Sequence, residues 1–82
     1  MRDEIRRLVD AHARLPVAVS TLADDADLYQ AGMTSHASVS VMLALEDAFD
    51  LEFPDEMLTR EVFESIDSMA TAVASLRDLQ SA

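Results

Sequence analysis

Apolar side chains recur every three or four residues along three stretches of this chain, a period that fits helices and not strands. Ile5, Leu8, Val9, His12 and Leu15 share one stripe of a first helix. Val41, Met42, Leu45, Ala48 and Phe49 share the core face of a second, expected from about Ser35 to Asp50. Ile66, Met69, Ala70, Val73 and Leu76 face inward on the last, with Ser65 as its N-cap. Pro16 marks the end of the first helix and Pro54 breaks the second. Between the second and last helices, "LTREVF" has the length of a short helix. Residues 16–34 are too long for an ordinary link between helices and need anchors, for which Val17, Leu22, Leu28 and Tyr29 are the candidates. The expectation is an all-α fold in a single domain spanning 1–82. It is a four-helix bundle of three longer helices and one short one, with a long loop between helices 1 and 2.

Composition narrows the function. Half of the 82 residues are apolar, and only one glycine and two prolines interrupt them, which favours a packed helical domain over a disordered acidic tail. The chain has no cysteine, so neither disulfides nor thiolate–zinc sites hold it together. It also has no lysine. Residues 1–14 carry four arginines against three acids, a net +1, whereas residues 15–82 carry Arg60 and Arg77 against thirteen acids, a net −11. Such a surface repels nucleic acid and anionic membrane and attracts basic protein surfaces. No apolar run reaches membrane length and the charged start lacks a signal core, so a cytoplasmic location is expected.

The chemistry concentrates near Gly32, Thr34, Ser35 and His36. Adjacent helical residues point roughly 100° apart, so His36 is badly placed to act as base for Ser35. His12 lies within the apolar stripe of the first helix and is expected to be partly buried and packed. The Gly-x-Ser-x-Gly elbow of hydrolases is absent. The acidic run "DDAD" lacks the ligand spacing of a calcium loop, and two histidines make no metal site. No catalytic residue and no metal ligand is therefore assigned, and an enzyme is not expected. Thr34 or Ser35 can cap the second helix. A phosphate esterified to a serine at that helix start would be well placed beside its unpaired amides.

Residues 27–66 together resemble the acyl and peptidyl carrier protein family. The family pattern is an Asp-Leu-(Phe/Tyr)-x-x-Gly-x-(Asp)-Ser loop, a helix ending in Leu-Glu-x-x-Phe, an apolar/Pro-acid turn, a small helix, and a last helix opening near Ser-Ile. Here those elements are Asp27, Leu28, Tyr29, Gly32, Ser35, Leu45, Glu46, Phe49, Phe53, Pro54, Asp55, Phe63, Ser65 and Ile66. The motif covers about half of the chain. The resemblance implies that Ser35 receives 4′-phosphopantetheine from coenzyme A, and that the terminal thiol then carries an acyl, aminoacyl or peptidyl thioester. A chain without cysteine needs no thiol of its own if the prosthetic group supplies one.

Two departures refine this reading. The family usually has Asp-Ser-Leu at the attachment site, where this chain has Thr34-Ser35-His36, and Ala37, Ser38 and Ser40 follow where fatty-acid carriers often show acids. A specialised carrier fits better than a housekeeping one. Its expected partners are a phosphopantetheinyl transferase, an acyl- or amino acid-activating ligase (an aminoacyl-tRNA-synthetase-like enzyme among the options) and a downstream transferase. Free in solution it should be a monomer. The alternative is an unmodified acidic helical adaptor, with a decoy for a nucleic-acid-binding protein as a third option. A docking patch is also readable in the second helix: Val39 and Leu43 project away from its core face, surrounded by His36, Glu46, Asp47 and Asp50.

Overall fold

The computed structural model describes residues 1–80, all helix and connection with no strand among them. Helix α1 spans Arg2–His12, α2 Ser35–Phe49, α3 Arg60–Phe63 and α4 Ile66–Gln80. Short 3₁₀ turns at Val19–Thr21 and Asp55–Met57 interrupt the two longer connections. This is the expected all-α bundle of three longer helices and one short one.

The core runs along i, i+4 ridges. Ile5, Val9 and Ala13 line α1, Ala37, Val41 and Leu45 line α2, and Ile66, Met69, Ala70, Val73 and Leu76 line α4. Burying each of the larger side chains contributes about 1.5–3 kcal/mol. The ridge geometry corrects two expectations. Ala13, just past the end of α1, takes the buried position and leaves His12 exposed rather than packed. Ala48 is likewise exposed, because the buried line of α2 steps from Val41 to Leu45 and then to the half-buried Phe49.

The connection between α1 and α2 is held by bonds that reach across the chain. Arg6 donates to the carbonyl oxygens of Val19 at 2.7 Å and Leu22 at 2.8 Å, and also pairs with Asp24. Arg2 reaches Asp67 at 2.6 Å, a hydrogen bond that raises the guanidinium pKa further. The Leu28 N–H donates to the Glu64 carbonyl at 2.6 Å, and the Asp67 N–H donates to the Asp24 carbonyl at 2.9 Å. Leu28 is fully buried, Leu22 and Tyr29 are half-buried, and Val17 is exposed, so it is no anchor. Val19 and Met33 are buried in its stead.

Each later boundary has a local cause. Asp50 adopts a left-handed conformation (φ 53°) and closes α2, with its own N–H and that of Leu51 bonded to the Glu46 carbonyl. Phe53 then packs edge-to-face on Phe63, with ring centroids 5.3 Å apart. The Ser65 hydroxyl accepts the Ser68 N–H at 3.0 Å, the predicted cap of α4.

Candidate functional site

Gly32 shapes the approach to α2. Its φ is +118°, and a Cβ there would lie 2.8 Å from Pro16 Cδ. Only a glycine fits both the backbone and that close contact. The next residue, Met33, is buried and fastens the loop, its N–H donating to the Leu28 carbonyl at 2.9 Å. Thr34 is the N-cap in extended conformation, and its hydroxyl accepts the Ala37 N–H at 3.0 Å. Ser35 is therefore the first residue of the helix and not its cap.

Ser35 stands exposed between two buried side chains, Met33 and Ala37, each two residues away. Those neighbours fix the backbone while the serine faces solvent. Its carbonyl accepts the Ser38 hydroxyl at 2.7 Å. Its own hydroxyl has no hydrogen-bond partner among the described residues, which leaves it available for esterification.

The serine borders a cleft of about 350 Å³ between α2 and the α3 region. Val39, Met42, Leu58 and Phe63 supply apolar lining, with Ser38 and Thr59 as hydroxyls. Arg60, also in the lining, lies with its guanidinium carbon 4.3 Å from the Tyr29 ring centroid, a cation–π contact that holds the charge in place. Among the described residues no acidic side chain lines the cleft, in a chain that has sixteen. Tyr29, Leu58, Thr59 and Arg60 were not singled out by the sequence as cleft residues. The signal for Arg60 was present, since it is one of only two cations after residue 14.

The six residues of the predicted docking patch separate into three settings. Val39 and Leu43 are 50% and 55% exposed on α2, and Asp47 and Asp50 are exposed toward its C-terminal end. Glu46 is half-buried, and its carboxylate accepts the Phe53 N–H at 2.8 Å. His36 lines a different hollow, with His12 and Arg14. Among the described residues, no group of three or more His, Cys, Asp or Glu could hold a metal, and no helix is long and apolar enough to cross a membrane.

The chain matches the phosphopantetheine attachment site family over residues 5–73. It belongs to that family of carrier proteins. An aminoacyl carrier protein of Agrobacterium fabrum is 46% identical to it over 78 residues, spanning 95% of this chain and 94% of the relative. A chain in the crystal structure of an engineered Bradyrhizobium japonicum glycine:[carrier protein] ligase, complexed with carrier protein from Agrobacterium tumefaciens and AMP, superposes with a TM-score of 0.88 at 47% identity. That match covers 90% of this chain and 99% of the other. A chain in the B. japonicum ligase complexed with glycylated carrier protein superposes with a TM-score of 0.75 at 25% identity, covering 87% and 95%.

The family's prosthetic group is 4′-phosphopantetheine, held covalently. When bound, it supplies a thiol on a long arm that holds cargo as a thioester. The residues present fit it. Ser35 offers an exposed, unbonded primary hydroxyl, Arg60 offers a cation for the phosphodiester, and the cleft holds no carboxylate to repel that anion.

Proposed function

We propose that Ser35 carries the 4′-phosphopantetheine arm and that this chain is a specialised aminoacyl carrier rather than a carrier for housekeeping fatty-acid synthesis. The observation that carries the assignment is the exposed Ser35 hydroxyl at the first position of α2, bordering a cleft free of carboxylates. The similarity to an aminoacyl carrier protein along nearly the whole chain supports the cargo class, as does the likeness to carriers complexed with an amino acid-activating ligase. The proposed partners are a phosphopantetheinyl transferase, such a ligase, and a transferase that takes the cargo onward. In the first step the Ser35 oxygen bonds to the phosphorus bearing pantetheine, adenosine 3′,5′-bisphosphate leaves, and the serine proton passes to solvent.

Carrier proteins are generally supports for cargo and not enzymes. In this reading the chain is one domain, monomeric and cytoplasmic, whose acids keep it soluble. Intact mass spectrometry after incubation with coenzyme A and a broad-range transferase tests the first half. A gain of one phosphopantetheinyl group is expected, and its absence favours the unmodified adaptor. Adding ATP, an amino acid and a ligase tests the second half, with a further aminoacyl mass gain expected.

A further inference from the structure

His12, Arg14 and His36 line one hollow of about 300 Å³, and among the described residues no acidic side chain lines it. The chain has only eight side chains of these two types. Three of them meet here, in a molecule of net charge −10. All three are exposed, and among the described residues none has an ion-pair partner, whereas Arg2 and Arg6 are matched to Asp24 and Asp67. The hollow is built by the approach of the α1 end to the α2 start. Arg14 turns the chain with φ 53°, Pro16 then packs against Gly32, and Gly32 and Thr34 supply further lining. It shares no lining residue with the Arg60 cleft, and Ser35 is not part of it.

We propose that this hollow docks a carboxylate-bearing segment of the ligase that loads the carrier, an inference that rests on the aminoacyl-carrier reading. Arg14 gives the hollow a fixed positive charge, and the imidazoles of His12 and His36 add possible hydrogen-bond donors, a set that calls for an anionic occupant. A second copy of this chain and a nucleic acid both suffer the long-range repulsion of a net −10 body, whereas a protein can bring a few carboxylates locally. The ligase reacts at the far end of the arm, so it must grip the carrier body at places that leave the serine clear. The hollow is such a place, one residue from Ser35 along the chain yet not containing it. It also places opposite charges at the two ends of α2, Arg14 beside its start and Asp47 and Asp50 near its finish. Two charges of opposite sign fix the direction in which the partner lies along the helix, which acids alone do not.

The test uses the holo-chain with the engineered B. japonicum ligase, glycine and ATP, following loading by intact mass at several salt concentrations. Arg14→Glu is compared with Arg7→Glu, an equal charge change at an exposed position on α1, and with the double variant His12→Gln/His36→Gln. Arg14→Glu should slow loading about tenfold at low salt, with the penalty shrinking as salt rises, while Arg7→Glu stays within about twofold. The melting temperature and the gain of phosphopantetheine should be unchanged. In Ser35→Ala, adding ligase should broaden the Arg14 and His36 NMR signals without any turnover. Equal slowing by both charge reversals, or by neither, overturns the proposal. So does binding of inorganic phosphate at these residues with loading unaffected by Arg14→Glu, which would make the hollow a small-anion site. If the wild-type chain is modified but not loaded, the pairing with this ligase fails and the proposed occupant with it, while attachment at Ser35 stands.

Discussion

The Glu46 carboxylate accepts the Phe53 N–H at 2.8 Å, so a side chain of α2 holds the segment that leaves the helix. Phe53 in turn presents its ring to Phe63. Glu46 thus supports the wall of the cleft from behind, which gives it a structural task besides any contact with a partner. Glu46→Ala should lower stability by about 1–2 kcal/mol, less than a buried charged bond because the group is half exposed. Glu46→Gln, which keeps an acceptor, should recover most of it. Chemical denaturation of the two variants checks this. Equal and negligible losses would return Glu46 to the docking surface alone.

The proposed attachment serine, Ser35, and the cap, Thr34, are adjacent but separate residues. Thr34→Ala removes the hydroxyl that accepts the Ala37 N–H and should cost about 1 kcal/mol. Ser35→Ala should leave thermal stability nearly intact and abolish the phosphopantetheine mass gain. Intact mass and melting curves on both variants separate the roles. A mass gain in Ser35→Ala, or one carried by Ser38, would refute the assignment.

Buried and exposed apolar residues alternate along α2. Leu45 is fully buried, and Leu45→Ala should cost about 2–5 kcal/mol of folding stability. Leu43 is 55% exposed, so Leu43→Ala and Val39→Ala should barely change melting yet weaken loading by about 1–2 kcal/mol each. If Leu43→Ala melts the fold as badly as Leu45→Ala, the exposed apolar pair is no docking surface.

Gly32→Ala places a methyl group 2.8 Å from Pro16 Cδ in a backbone region that suits glycine. A loss of about 1–3 kcal/mol is expected, with slower phosphopantetheinylation because the loop that carries Ser35 is displaced. Denaturant midpoints and modification rates measure the two effects. An unchanged midpoint would mean that the residue 14–16 turn yields freely.

The net charge of −10 also has a bulk consequence. Raising ionic strength from 0.01 to 0.15 M shortens the Debye length from about 30 Å to about 8 Å and relieves self-repulsion, so the melting temperature should rise. A flat or falling curve would show that the acids are already well dispersed.

The helices are legible in the sequence, and where its spacing misleads the reasons are physical. The α4 stripe was read residue for residue, and Ser65 capped where expected, because hydroxyl caps and 3.6-residue periods are local. His12 and Ala48 were assigned to buried faces by spacing alone. Which ridge is covered depends on the helix packed against it, and that information is not local. Val19 displaced Val17 as an anchor because a 3₁₀ turn and the Arg6 guanidinium set the phase of an aperiodic segment. Arg60 joined Tyr29 and Ser35 at one cleft from three separate stretches, a meeting that only the fold could reveal.

The bond from the Asp67 N–H to the Asp24 carbonyl, and that from the Leu28 N–H to the Glu64 carbonyl, bear on the life of the chain during its synthesis. The loop that presents Ser35 is shaped by residues made long after it. A nascent chain that has exposed Ser35 but not yet α4 has the acceptor hydroxyl without the scaffold that displays it. If Ser35 carries the arm as proposed, its modification should wait for the last helix to emerge, so that a transferase would meet a finished fold rather than a growing one.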